Sequence, residues 1–130
     1  VDIIEKFLAH VDTHIERRSW TNVETVFCTE RSAELSPDSI DLAFICNVYH
    51  HFEYPQDTLA SLHDALRSGG RIVLVDFKRI PGESADWILN HMRAGPEVFE
   101  AEITKASFTK TNEITDLLDD NYFVILEKSS

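Results

Sequence analysis

The sequence has 130 residues, of which 43% are hydrophobic and 27% charged, a composition typical of a globular chain with one domain over residues 1–130. Its 12 basic and 23 acidic residues give a net charge of −11, which disfavours nucleic acid and anionic membranes as partners because both would repel the chain. The longest apolar runs are as short as strands, far below the roughly 20 residues of a membrane helix. Cys28 and Cys46 stand at the ends of apolar runs, which fits free buried thiols and an intracellular compartment, so we expect a cytoplasmic protein.

The first forty residues predict one helix between two short strand segments. Residues 1–3 resemble the end of a strand, and Asp2 can cap the helix that follows. Apolar residues then recur at helical spacing until the helix ends near Arg18, whose charge suits a helix C-terminus. Residues 23–27 predict a short strand, and the polar run over 29–39 predicts a loop.

The central part of the sequence predicts a strand, a helix and a second strand. Residues 40–46 and 71–77 are nearly continuous apolar runs, and Gly69-Gly70 is predicted to end the helix between them. Strands that are apolar throughout are typical of a parallel sheet covered on both faces. The helix places three leucines on one stripe, namely Leu59, Leu62 and Leu66.

The segment after the first of these strands is the predicted ligand site. Ligands of open α/β sheets bind outside the carboxyl ends of the strands. Residues 47–51, with an asparagine, a tyrosine and two histidines, follow such an end directly. We therefore expect this segment to line a binding site.

The last third of the sequence predicts two helices and a pair of strands. Residues 115–120 are too few for a parallel crossover, which needs about a dozen residues, so the two strands are predicted to be antiparallel. The predicted helices span residues 85–93 and 97–107, and the predicted strands span 108–114 and 121–127.

Four segments carry motifs beyond their periodicity. They are 39–44 (SIDLAF), 47–52 (NVYHHF), 66–76 (LRSGGRIVLVD) and 102–108 (EITKASF). In this order they resemble the fourth strand, the segment after it, the fifth strand and the run before the closing hairpin of the class I S-adenosylmethionine-dependent methyltransferases. The resemblance implies an α/β Rossmann-like sheet, mostly parallel, that ends in an antiparallel hairpin.

The glycine-rich loop of that family has no counterpart in the sequence. The four glycines stand at positions 69, 70, 82 and 95, and none forms a G-x-G. If Asp2 matches the acid that ends the family's second strand, the sequence begins after the first strand. We therefore expect it to be a carboxyl-terminal fragment of a methyltransferase domain, incomplete at its N-terminus.

The resemblance implies that six residues bind S-adenosylmethionine. An acid at position 2 would accept both ribose hydroxyls, because a carboxylate has two acceptor oxygens. Ile3 would lie along the adenine face, and Glu30 and Arg31 would lie at the adenine edge. Asn47 and Val48 would lie beside the methionine part. From the sequence alone, the alternatives that remain open are a helix cap for Asp2 and a core position for Ile3. For Glu30 and Arg31 the alternative is a solvated loop, and for Asn47 it is stabilisation of the turn. The implied set is Asp2, Ile3, Glu30, Arg31, Asn47 and Val48.

His50 and His51 are the candidate catalytic residues, since a neutral imidazole can take a proton from an acceptor hydroxyl or amine. Adjacent histidines usually point in different directions, so we expect at most one to face the site, and packing beneath the turn remains open. The resemblance also implies that Tyr49, His91 and Arg93 bind the substrate. Core packing for Tyr49 and a solvated position for Arg93 are the alternatives.

His10 and His14 lie four residues apart on the predicted helix, a spacing at which two histidines can share a metal ion. However, Val11 stands where the H-E-x-x-H motif has its glutamate, and no third ligand is evident. We therefore interpret both as partly exposed helix histidines and expect no metal site.

The function that these features predict is methyl transfer from S-adenosylmethionine to an oxygen, nitrogen or carbon atom of a small molecule. A non-catalytic methyltransferase-like module, which binds a partner or forms a homo-oligomer over exposed strand edges, is the alternative. A nicotinamide-dependent enzyme is a second one, and it requires a parallel strand where the hairpin is predicted.

Overall fold

The computed structural model describes residues 1–130 as four helices, four strands and one 3₁₀ turn. None of the helices is long and apolar enough to cross a membrane. The bounds are α1 Glu5–Arg18, β1 Ile40–Cys46, the 3₁₀ turn Tyr49–His51, α2 Pro55–Ala65, β2 Leu66–Phe77, α3 Asp86–His91, α4 Pro96–Lys105, β3 Phe108–Glu113 and β4 Asn121–Lys128.

Local sequence signals explain where the longer helices begin and end. Proline occupies the first position of α2 and α4, where its fixed φ suits the helix and its missing N–H is not needed. Helix α1 ends on two arginines, and Ser19 follows in the left-handed conformation (φ 53°). This is a common way for a helix to end.

The four strands form one mixed sheet in the order β1-β2-β4-β3. Strands β1 and β2 are parallel and are joined through α2, as predicted. Strand β4 runs antiparallel to both β2 and β3. The predicted antiparallel hairpin is therefore confirmed, and the nicotinamide-dependent alternative loses the parallel strand that it requires.

The core is built on β2, the strand with the most buried residues. Side chains 72–76 of this strand are all buried, which explains why the sequence there is almost uniformly apolar. Phe99 and Ile103 of α4 and Leu59 of α2 join the same cluster and are fully buried. Each such side chain stabilises the fold by about 1.5–3 kcal/mol.

The strand predicted over residues 23–27 does not form. The structure has a single parallel bridge there, between Asp2 and Phe27. The Asp2 N–H donates to the Val26 carbonyl at 3.1 Å, and the Cys28 N–H donates to the Asp2 carbonyl at 3.0 Å. A strand needs a continuous neighbour, and residues 1–3 supply only one pairing position.

The boundary between α2 and β2 also differs from the prediction. Leu66, predicted on the helix, is already extended (ψ 133°) and pairs with Ile40, whereas the next regular pair joins Leu42 to Arg71. The residues between form a bulge that needs Gly69 in a left-handed conformation (φ 75°). The glycines therefore lie within β2 and do not end the helix.

Candidate functional site

The carboxyl ends of β1 and β2 meet at one edge of the sheet, as expected for parallel strands. Asn47 follows β1 with a positive φ of 54°, and its N–H donates to the Val75 carbonyl of β2 at 2.8 Å. The chain therefore turns across the tip of β2 directly after β1. This turn places the 3₁₀ segment, with its two histidines, over the strand ends.

His50 is held at this edge by Asp76 of β2. Both side chains are buried, with 8% of His50 and 0% of Asp76 exposed. The Asp76 Oδ1 lies 2.9 Å from the His50 Nδ1 and also accepts the Phe77 N–H, while Oδ2 accepts the His50 N–H at 3.2 Å. Because the carboxylate is an acceptor, Nδ1 carries the proton, and the lone pair of His50 lies on Nε2.

Two further imidazoles lie next to the His50 Nε2. The His91 Nε2, at the end of α3, is 3.1 Å away, and the ring centroids of His50 and His51 are 4.1 Å apart. His51 and His91 are exposed, so this histidine cluster (His50, His51 and His91) opens to solvent. Partial burial and the two neighbouring imidazoles lower the pKa of His51, since both disfavour a positive charge there.

A second polar group lies beside the histidine cluster and ties α4 to the 3₁₀ turn. The Tyr49 hydroxyl donates to the Glu102 Oε2 at 2.8 Å, and the Arg93 guanidinium donates to both Glu102 oxygens at 2.7 and 2.8 Å. Burial by itself would raise the pKa of Glu102, but the hydrogen bonds from Arg93 and Tyr49 lower it. The desolvated Tyr49 hydroxyl has a raised pKa.

Two residues that the sequence predicted for substrate binding, Tyr49 and Arg93, belong to this polar group. Tyr49 is fully buried in the core cluster, next to Phe99. Arg93 lies beyond the end of α3, and its guanidinium is occupied by Glu102. Their roles toward a substrate therefore remain predictions, and of the three residues only His91 stands in the histidine cluster.

Among the six predicted cofactor residues, Asp2 and Arg31 have clear partners within the chain. The Asp2 Oδ1 accepts the Ile4 N–H at 2.8 Å in a turn just before α1. The N-cap residue of α1 is Ile4 and has no side-chain cap, so Asp2 does not form the helix cap that was the alternative. Arg31 pairs with Asp57 and stacks on Tyr54, with its guanidinium carbon 3.5 Å from the ring centroid.

The other four predicted cofactor residues lie at the surface or at the tip of β1. Ile3 and Val48 are apolar side chains with 48% and 49% of their surface exposed. Glu30 has an exposed side chain, while its carbonyl accepts the Thr58 hydroxyl at 3.3 Å. The Asn47 Oδ1 accepts a hydrogen bond from the Asn121 amide at 2.8 Å.

Asp76 and Glu102 are the residues that sequence reasoning missed. Asp76 is the one acid of β2 and directly follows the apolar run 72–75, and a charge at such a buried position needs a partner. That signal identifies Asp76 as functional or structural, but it does not say which histidine would pair with it. Glu102 stands within a recognised motif, yet nothing in the motif indicates that it binds Arg93.

A family profile described as "Methyltransferase domain" matches residues 1–72, which is more than half of the chain. No curated protein matches the sequence.

Solved structures with 10–13% sequence identity share the fold of this chain. A SAM-dependent methyltransferase from Aquifex aeolicus aligns with a TM-score of 0.84 at 13% identity, covering 97% of this chain and 65% of its own. The YcgJ protein from Bacillus subtilis gives 0.80 at 13%, with 99% and 81% covered. The [4+2]-cyclase SpnF gives 0.75 at 10%, with 94% and 62% covered.

The chain thus spans about two thirds of the length of the Aquifex protein. A cyclase stands among the structural neighbours, so the fold by itself does not decide the reaction.

Proposed function

Since the chain belongs to the methyltransferase domain family, we propose that it binds S-adenosylmethionine and transfers the methyl group to an oxygen, nitrogen or carbon atom of a small molecule. The observation that carries the proposal is the His50 imidazole, which buried Asp76 fixes at the carboxyl ends of the parallel strands. The net charge of −11 favours a small acceptor over a nucleic acid.

The residues around Asp2 fit the nucleoside part of the cofactor. One Asp2 oxygen accepts the Ile4 N–H, and the second has no hydrogen-bond partner in the chain, so it can accept a ribose hydroxyl. Ile3 offers an exposed apolar surface for the adenine face. Arg31 is occupied by Asp57 and Tyr54, so the Glu30 carboxylate is the better group for the exocyclic amine of adenine.

The tip of β1 fits the methionine part. Asn47 presents its side chain at the strand end, and the exposed Val48 adds an apolar surface beside it. These two residues immediately precede the histidine cluster in the chain. Together with the histidine cluster, Asn47 and Val48 would hold the methionine end of the cofactor.

The cofactor supplies a methyl group on a positively charged sulfur, and the protein supplies position and orientation. His50 accepts a hydrogen bond from the acceptor through Nε2, because Asp76 holds the proton on Nδ1. His51 and His91 flank that contact and limit where the acceptor can lie. Glu102, through Tyr49 and Arg93, keeps this side of the site in place.

Calorimetric titration of the chain with S-adenosylhomocysteine tests the proposal. We expect binding, and we expect D2N to weaken it at least tenfold, since Asn can keep the hydrogen bond from the Ile4 N–H but loses one acceptor oxygen and the charge. A hydrogen bond to a charged group contributes about 1.5–3 kcal/mol, and 1.4 kcal/mol corresponds to tenfold. D116N, an equal charge change at an exposed site in the loop between β3 and β4, should leave the affinity unchanged.

The non-catalytic module remains the alternative function. It is favoured by the outer face of β1, where Leu42 and Phe44 are 51% and 62% exposed on an edge strand. If the folded chain gives no heat of binding with S-adenosylhomocysteine, methyl transfer by this chain is rejected. The non-catalytic module is then the better proposal.

A further inference from the structure

We propose that the histidine cluster binds one Zn²⁺ ion through one nitrogen of each imidazole, and that a hydroxyl of the acceptor occupies the fourth position. The metal site is argued from geometry alone, whereas its use for the acceptor rests on the proposed function. With the ion bound, the single lone pair of the His50 Nε2 holds the metal, and the acceptor contacts the ion in place of that nitrogen. It reverses the sequence-based expectation of no metal.

The spacing of the three imidazoles suits a tetrahedral ion. The His50 and His91 Nε2 atoms are 3.1 Å apart, and the three ligand atoms all lie within 4.8 Å of one another. With Zn–N bonds of about 2.0–2.1 Å, tetrahedral ligand nitrogens lie roughly 3.3 Å apart. The pair His50–His91 is already close to this separation. Rotation of the exposed His51 side chain can bring its ligand nitrogen to the same separation from the other two.

His50 carries the outer hydrogen bond that metal-binding histidines usually have. Its Nδ1–H donates to the buried Asp76 carboxylate at 2.9 Å, which leaves the Nε2 lone pair directed at His91. A carboxylate in this position fixes the tautomer and raises the basicity of the ligand nitrogen. The arrangement of buried acid, histidine and open cluster therefore supports a metal better than three surface histidines would.

Helix α3 is held so that His91 stays next to His50. The Arg79 guanidinium donates to the Met92 and Leu89 carbonyls at 3.0 and 3.2 Å. Trp87 packs edge-on against Phe77 at the end of β2, with a centroid separation of 5.0 Å. These contacts hold α3 against the end of β2 and the residues that follow it. The fold itself therefore keeps His91 next to His50.

Three histidines with one open position are typical of catalytic zinc sites, whereas structural sites are closed by four ligands. A hydroxyl bound to Zn²⁺ loses its proton to solvent far more readily than a free one, and the metal holds the resulting oxygen in place. The acidic chain, with a net charge of −11, also attracts cations. The site would thus favour acceptors with a hydroxyl group.

The test is zinc binding by the chain without cofactor, measured by equilibrium dialysis and elemental analysis. His10 and His14 on α1 also place two Nε2 atoms 3.2 Å apart at the surface, so all proteins carry H10Q and H14Q to remove this second source of bound metal. We expect one equivalent of Zn²⁺ per chain in this background. Co²⁺ in its place should give the strong visible absorption of a tetrahedral site.

H51Q and H91Q should each weaken zinc binding at least tenfold and abolish the cobalt absorption. Both residues are exposed, so these variants keep the fold, which circular dichroism checks. D76N should weaken binding 10- to 100-fold through the outer hydrogen bond. H63Q is the matched control, because His63 packs on Phe108, away from the histidine cluster.

If H51Q and H91Q bind as much zinc as the background protein, the metal site is overturned. The 3.1 Å contact between the Nε2 atoms of His50 and His91 would then be a hydrogen bond between two imidazoles. S-adenosylhomocysteine binding measured on the same samples separates the two proposals. Cofactor binding without zinc would reject the metal site alone. Zinc binding without cofactor binding would support the metal site and reject the proposed function.

Discussion

Asp76 is a carboxylate with no exposed surface that directly follows the apolar run 72–75 of β2. It is tolerated because three N–H groups donate to it, from the His50 ring, the His50 backbone and the Phe77 backbone. A buried charge with a full set of partners is stable, whereas removing one side of the pair leaves unsatisfied groups. The same contacts fix the ring of the candidate catalytic histidine.

The D76N substitution should therefore lower the free energy of unfolding by about 3 kcal/mol, because the amide brings N–H donors against donors that are already there. Urea unfolding followed by circular dichroism measures the effect. D41N is the matched control, since Asp41 pairs with Arg67 at the surface with 81% of its side chain exposed. An unfolding midpoint of D76N equal to that of D41N would contradict the role assigned to Asp76.

At the scale of elements, Glu102 connects α4 with the 3₁₀ turn and with the segment after α3. Tyr49 and Arg93 both donate to its carboxylate, and the Arg93 guanidinium also lies 4.5 Å from the centre of the Phe99 ring. None of the three elements is long, so each depends on such contacts for its orientation. The position of the histidine cluster follows from this packing.

The contribution of Glu102 to stability should depend on pH. Its pKa in the fold lies below the usual 4.5, so its stabilisation is complete above that value and is lost as the pH falls through the folded pKa. The difference in unfolding free energy between the native chain and E102Q should thus be constant near neutral pH and shrink below about 4.5. E53Q, at an exposed glutamate, should show no such convergence in urea unfolding series at several pH values.

At the scale of the whole molecule, the edge strand β1 exposes apolar side chains. Strand β1 is one of the two outermost strands of the sheet, the other being β3, and 62% of Phe44 on β1 is exposed. Unpaired strand edges beside apolar side chains favour pairing with another chain. A second copy of this chain is the partner that we propose for this edge.

F44K should accordingly shift the chain toward the monomer, because a lysine on the outer face of β1 opposes edge-to-edge pairing. Sedimentation velocity over a range of concentrations measures the distribution of species. L117K introduces the same charge at an equally exposed leucine, 62%, in the loop between β3 and β4, and should leave that distribution unchanged. A native chain that stays monomeric at every concentration would reject the self-association.

The sequence by itself determined the central strand–helix–strand unit and the direction of the closing hairpin. Both follow from local physics, namely the apolar runs over 40–46 and 71–77 and a loop too short for a parallel crossover. The segment 47–51 could be placed at the strand tips for the same reason, since strand ends define the edge where ligands bind.

Only the tertiary structure decided which side chains meet at that edge. The His91 Nε2 lies 3.1 Å from the His50 Nε2 although 41 positions separate the two residues, and Arg93, although exposed, pairs with Glu102. The segment 23–27 had the residues of a strand but lacked a neighbouring strand to pair with. Pairing, burial and ion-pair choice depend on groups distant in sequence, and periodicity and spacing carry no information about them.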